Sequence, residues 1–216
     1  MFTDTNLSAT SFIEAATLPA TQLEDLTEMY VAYFNRAPNA VGLDYWASRL
    51  VEGMTLQDIA KSFFEQPETV ATYPPDMPVT DFVTQVYQNV LGRAPDTSGL
   101  DYWVQQLENG QLSKDVFMLA IIYGARAATG GAEDVQYLAN KGFIGQHFAL
   151  TDGLNDVGEA HAVMAAFNGT PQSVIAANQL SNSYLATAST AAGSELVVQL
   201  VGVAETSPST AHNLHM

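Results

Sequence analysis

The sequence predicts an all-α protein built from two tandem three-helix repeats followed by a C-terminal helical region. Three observations carry that expectation. Apolar residues recur at helical spacing along most of the chain, β-branched runs are nearly absent, and a phrase of eleven residues occurs twice. The phrase reads Arg36-Ala37-Pro38-Asn39-Ala40-Val41-Gly42-Leu43-Asp44-Tyr45-Trp46 and returns 57 residues later as Arg93-Ala94-Pro95-Asp96-Thr97-Ser98-Gly99-Leu100-Asp101-Tyr102-Trp103. Each copy holds one of the two tryptophans, which is the pattern of a duplicated folding unit.

Residues 1–20 read as an N-terminal arm rich in Thr, Ser and Ala, with a short helix around Phe12-Ile13 and Pro19 closing it. The first repeat spans 21–75. Thr21-Gln22-Leu23-Glu24 matches a capping box, and Leu26, Met29, Tyr30, Tyr33 and Phe34 give one apolar helical face. Pro38 ends that helix, because a proline pushes its predecessor out of the α region. Asn39 caps a second helix with Leu43, Trp46, Ala47 and Leu50 inward, and Gly53 closes it. Thr55-Leu56-Gln57-Asp58 opens a third, and Pro67, Pro74, Pro75 and Pro78 mark a connector.

The second repeat, 76–131, follows the same plan. Val83, Val86, Tyr87, Val90 and Leu91 form the first face, and Asp96 caps a helix with Leu100, Trp103, Val104 and Leu107. A longer third helix runs from Ser113 to the Gly130-Gly131 stop. Beyond it the repeat is lost, although helical periodicity continues through a region 132–206. Helices are expected near 132–150, 156–168, 171–187 and 193–204, with Val197–Val203 also readable as a strand. A polar tail, 207–216, ends the chain.

Seven Lys+Arg against 23 Asp+Glu give a net charge of −16, which disfavours phosphate backbones and anionic membranes. Nucleic-acid binding is therefore not expected. Neither is membrane insertion, since no apolar run approaches the roughly 20 residues of a spanning helix. Cysteine is absent, so disulfides and thiolate metal sites are excluded. Acidity without cysteine suits a calcium-containing exterior, where a hard cation neutralises carboxylates. The N-terminus lacks the basic and apolar regions of a signal peptide, so a secreted, cell-surface location requires export without a cleaved N-terminal signal.

Two readings of the repeated phrase stand side by side. In the structural one, Pro38 and Pro95 end helices, Asn39 and Asp96 cap the next, and Arg36 and Arg93 pair with a carboxylate or helix C-terminal carbonyl. Gly42 and Gly99 then admit a close neighbour, Trp46 and Trp103 enter the core, and Tyr45 and Tyr102 stay at its rim. In the functional reading, Asp96 and Asp101 supply oxygens to calcium, with Asn39 and Asp44 as counterparts. Asp152, Asn155 and Asp156, with Glu159, form a second calcium candidate that helix capping also explains. His147 and His161 lack zinc-site pairing, and no GxSxG, GxGxxG or P-loop occurs.

With Leu91-Gly92 before Arg93, the second copy resembles the bacterial family of unknown function numbered 4214, whose hallmark is close to Leu-Gly-Arg-x-Pro-Asp-x-x-Gly-Leu-x-Tyr-Trp. The first copy departs at Phe34-Asn35 and Asn39; the likeness covers about 21–128, and the later Leu138-Ala139-Asn140-Lys141 is similar to a segment that trails such units. The resemblance implies a helical fold similar to phycobilisome linker domains in exported proteins. It also implies kinship with the anchoring region of Gram-negative surface-layer proteins, which holds lipopolysaccharide with calcium. The expectation is a non-enzymatic extracellular structural or adhesion protein that binds surface polysaccharide or lipopolysaccharide, forms homo-oligomers and uses calcium as a bridge. Its rivals are an interaction linker or assembly subunit of a filament or virus-like particle, and a polysaccharide-acting enzyme using an acid pair. The enzyme should show a cleft where acids converge and one carboxyl has a raised pKa.

Overall fold

A computed structural model of the chain describes residues 13–127 and 131–202, and these are helical with no strand among them. A short helix α1 (Ile13–Thr17) leads into the first repeat, α2 (Ala20–Phe34), α3 (Ala40–Val51) and α4 (Leu56–Phe64). A further short helix, α5 (Pro67–Thr72), precedes the second repeat, α6 (Val79–Leu91), α7 (Thr97–Glu108) and α8 (Lys114–Arg126). Then come α9 (Ala132–Gln146), continued by a π turn over His147–Thr151, α10 (Val157–Ala165) and α11 (Pro171–Gly202).

Several local expectations are corrected. Helix α2 begins one residue before Thr21, and the Pro19 carbonyl, not a capping box, receives the Gln22 and Leu23 amides. The capping box is at Thr55 and Asp58 instead. Pro38 and Pro95 do not end the first helices. Asn35 (φ 49°) and Gly92 (φ 69°) do so three residues earlier, each in the left-handed conformation with its amide bonded back into the last turn. Asn39 sits at the N-cap of α3 without a side-chain cap bond. Residues 67–72 form a helix within the proline-rich connector because Pro67 occupies its first position, where a missing N–H costs nothing. Helix α11 runs unbroken where a gap and a strand were considered, and residues 197–202 of that run are helical. The expected tail, 207–216, lies outside the described residues.

The arm is docked from residue 13 onward rather than free. The Glu14 and Ala15 amides donate to Asp44 Oδ1 at 3.1 and 3.2 Å, so a carboxylate of α3 caps α1, while Ala15 and Leu18 join the core. One apolar core takes side chains from both repeats, among them Tyr33, Phe63, Phe82 and Phe117. A smaller one, with Ile144, Phe148, Val163 and Phe167, reaches α2 through Val31. Every residue of α2 from Leu26 to Phe34 is consequently buried, which makes it the central rod of the molecule.

The region after Gly131 remains helical and loses the motif, with a few turn residues recurring at a fixed distance. Gly158 and Asn168-Gly169 follow Gly99 and Asn109-Gly110 by 59 residues. Gly53 and Gly110, each with positive φ, directly follow the C-caps of α3 and α7, while Gly169, also with positive φ, lies in the turn between α10 and α11. Lys141 of α9 reaches between the two repeats. Its ammonium donates to Asn89 O (2.6 Å), near the end of α6, and to Asn35 Oδ1 (3.3 Å), at the end of α2.

Two equivalent glycines carry unequal steric loads. A Cβ on Gly42 would lie 2.6 Å from both the Tyr30 hydroxyl and Asn39 Oδ1, whereas on Gly99 the nearest atom would be Asp96 Oδ1 at 3.5 Å. Gly42→Ala is therefore expected to lower stability by about 1–3 kcal/mol, while Gly99→Ala is expected to be neutral or to add up to about 1 kcal/mol. Urea denaturation of the two variants checks this contrast.

Candidate functional site

The two motif arginines form the same clamp. Arg36 grips Glu68 through Nε (2.7 Å) and Nη2 (3.1 Å), and Arg93 grips Asp134 through Nε (2.7 Å) and Nη2 (2.6 Å). In each case Nη1 donates to the next residue's carbonyl, Ala37 or Ala94. Both acids lie in the first turn of a helix, where the dipole favours negative charge. Tyr30 and Tyr87 place their rings 5.3 and 5.6 Å from the respective guanidinium carbon. The environments differ: the Arg36 side chain is 7% exposed and that of Arg93 46%.

The tryptophans are half-buried and edge-on to a core phenyl ring, Trp46 to Phe63 at 5.1 Å and Trp103 to Phe117 at 5.3 Å. Trp103 Nε1 also donates to the Tyr87 hydroxyl at 2.9 Å. Tyr45 and Tyr102 remain 52% and 53% exposed, each edge-on to its neighbouring indole. Arg49 stands over the Tyr45 ring. Position 106, the matching place in the second copy, is glutamine.

A cleft of about 320 Å³ opens at the first clamp, lined by Tyr30, Phe34, Trp46, Phe63, Gln66 and the Arg36–Glu68 pair. Its floor is aromatic and its rim polar. A wider depression of about 470 Å³ lies by the second clamp, between Arg93, Asp134, Tyr137 and Gly169.

The five calcium candidates do not meet. Asp96 accepts from the Gly99 amide and the Ser98 hydroxyl, and these bonds hold its carboxyl below the usual range. Asp101, one turn on, is exposed. Asp152 is buried against the Ser181 hydroxyl, with His147 Nε2 at 3.4 Å. Asn155 Oδ1 receives the Val41 amide at 2.8 Å, and Asp156 caps α10 through the Glu159 amide at 2.9 Å. Among the described residues no three His, Asp or Glu side chains are grouped to hold a metal ion.

A feature that sequence reasoning missed lies between α2, α8 and α9. Arg126 is ion-paired with both Asp25 and Glu28, and Glu28 lines a cleft of about 280 Å³ with Val135, Gly142, Phe143 and Gln146. Burial pushes the Glu28 carboxyl up to about 7, against the pull of Arg126. Glu28 looks like an ordinary helical acid in sequence, and its partner is 98 residues away.

These elements define an all-α protein organised around a duplicated helix–turn–helix phrase. Residues 60–125 match the family model described as domain of unknown function (DUF4214). The match begins in α4 and ends in α8, covering the second motif and leaving the first outside. No curated protein and no solved structure matches the chain.

The raised Glu28 value has a definite sign. Its folded pKa lies above the ordinary 4.5, so the stability it contributes is full below about pH 4.5 and is lost as pH rises through 7. The loss is on the order of 3 kcal/mol. Denaturation at pH 4.5 and 7.5 should show this loss in the native protein and a flatter profile in Glu28→Gln.

Proposed function

We propose that this protein is a non-enzymatic, extracellular helical-repeat module that adheres to surface polysaccharide. The observation that carries the reading is the aromatic cleft at the first clamp. A saccharide ring has an apolar C–H face that suits the half-buried Trp46, backed by the buried Phe63, and hydroxyls that suit Gln66 and the partly exposed Glu68 carboxylate. Exposed Tyr45 and Tyr102 extend the aromatic surface, and a polymer engaging both copies gains avidity. Calcium enters this reading as a bridge between surface carboxylates and an anionic sugar, in keeping with the net charge of −16.

A second reading, a polysaccharide-acting enzyme, has one observation in its favour: the raised carboxyl of Glu28 in a cleft beside Asp25. Both acids there share Arg126, and α2 presents them from adjacent positions on one turn rather than from opposite walls. That arrangement lacks the two-sided acid pair that glycoside hydrolysis needs.

In Trp103→Phe, the remaining indole, Trp46, reports the cleft. Titration with purified cell-envelope polysaccharide, with calcium and with a chelator, should give a saturable fluorescence change. Gln66→Ala should weaken the binding about tenfold, the loss of one hydrogen bond of roughly 1.4 kcal/mol. An unchanged spectrum in both arms, or reducing ends released by the native protein but not by Glu28→Gln, would overturn the proposal.

A further inference from the structure

The cleft at the first clamp holds two hydrogen-bonding groups that the second copy of the motif has already paired. Tyr30 and Trp46 both line it. Tyr30 is 2% exposed, yet its hydroxyl has no hydrogen-bond partner among the described residues, and neither has Trp46 Nε1. Neither atom is shut off from solvent. A buried phenol ordinarily finds a partner, because an unmade hydrogen bond costs the full desolvation of the group.

In the second copy the same pair is satisfied from within. Trp103 Nε1 donates to the Tyr87 hydroxyl at 2.9 Å. With Leu91 and Arg93 these two line a cavity of about 150 Å³, and all four stand 57 residues after their counterparts in the first cleft. Ala120 takes the place of Phe63, so this smaller cavity lacks the phenyl floor. The first phenol also sits closer to its glycine. A Cβ on Gly42 would lie 2.6 Å from the Tyr30 hydroxyl, against 3.7 Å between Gly99 and that of Tyr87. The turn beside it is fixed from behind, the Ala37 amide donating to Ala160 O (3.3 Å) and the Ala40 amide to Leu154 O (2.8 Å).

We propose that the first cleft holds one uncharged sugar unit by a hydroxyl seated between Tyr30 Oη and Trp46 Nε1, and that the second copy has no equivalent site. The hydroxyl accepts from the indole N–H and makes one hydrogen bond with the phenol, completing what Tyr87 and Trp103 do for each other. The lining selects a neutral sugar. Its one cation, Arg36, is held by Glu68 through Nε and Nη2, and His161 Nε2 faces the same carboxylate at 3.2 Å. No unpaired positive charge is left there for an acidic sugar. The exposed Tyr102 remains an outer contact for the polymer.

The inference rests on the adhesion reading and names the chemical group that its cleft recognises. It is tested on the full chain with purified cell-envelope polysaccharide, following the two indole N–H resonances by nuclear magnetic resonance, with Trp103→Phe to assign them. In the free protein the Trp103 indole proton should exchange with solvent more slowly than that of Trp46. Titration should shift chiefly the Trp46 resonance. Tyr30→Phe should weaken binding at least tenfold and leave the urea midpoint unchanged or higher, since it removes an unpaired hydroxyl. Tyr87→Phe should lower the midpoint and keep the affinity within about twofold. With a chelator present, polysaccharide whose carboxylates have been reduced to alcohols should bind as tightly as the untreated polymer. Binding that is indifferent to Tyr30→Phe, that shifts the Trp103 resonance as much as that of Trp46, or that is lost with the carboxylates overturns this inference alone. A native protein that binds no polysaccharide overturns the adhesion reading as well.

Discussion

The arrangement of the two repeats depends on one buried ammonium group. Lys141 is 4% exposed, and burial lowers its pKa to about 8. Its partners are a backbone carbonyl and an amide oxygen, not a carboxylate. Both lie at the C-terminal ends of the first helices of the two repeats, where unpaired carbonyls concentrate negative charge. One cation thereby joins α2 and α6 end to end with α9. Its folded pKa lies below the 10.5 of a free lysine, so the cost of burial is full below about pH 8 and fades as pH rises toward 10.5. The Tyr137 ring, 5.6 Å from the ammonium, also fills the space left by Gly92, where a Cβ would meet it at 2.4 Å.

Much of this architecture is legible in the sequence because it rests on local rules. The faces of α2 and α6, the cap at Asp96 and the stop at Gly53 each follow from residues within a turn or two. Errors arise where a longer-range partner decides. Proline suggests a stop at Pro38, yet the left-handed Asn35 ends the helix, its side chain engaged by Lys141 from 106 residues away. Asn39 is a good capping residue whose side chain makes no cap bond, while the Val41 amide in the same first turn is taken by Asn155 from 114 residues away. The clamp was legible in kind but not in partner. Arginine after a helix end calls for a carboxylate, and no spacing rule distinguishes Glu68 from Asp134 when their distances from Arg36 and Arg93 are 32 and 41 residues. The cleft at Glu28 is invisible for the same reason.

The two copies of the phrase sit in similar turns, after left-handed Asn35 and Gly92 and at extended N-caps, and differ in chemistry. The phenyl ring that meets Trp46 comes from the end of α4, at Phe63, whereas the one that meets Trp103 comes from the first turn of α8, at Phe117. An aromatic ring has shifted along the third helix while the edge-on contact is kept, as core packing permits when volume is conserved. In the first clamp the arginine is buried and its acid partly exposed, and in the second the arginine is exposed and its acid buried. Identical motif residues therefore carry unequal energetic weight.

The hydrogen bonds from Ala37 and Ala40 to Ala160 and Leu154 have a consequence for how the molecule is made. A ribosome releases the first repeat long before the segment that covers it. Until residue 160 has emerged, the turn at Pro38 stays uncovered and α2 lacks one wall of its burial. The second repeat also waits for a later segment, since Arg93 is clamped by Asp134 of α9, but that partner lies 41 residues on, against more than 110 for the cover of the first turn. Synthesis thus runs from the beginning of the chain to its end, while closure runs the other way, with the last-made part sealing the first.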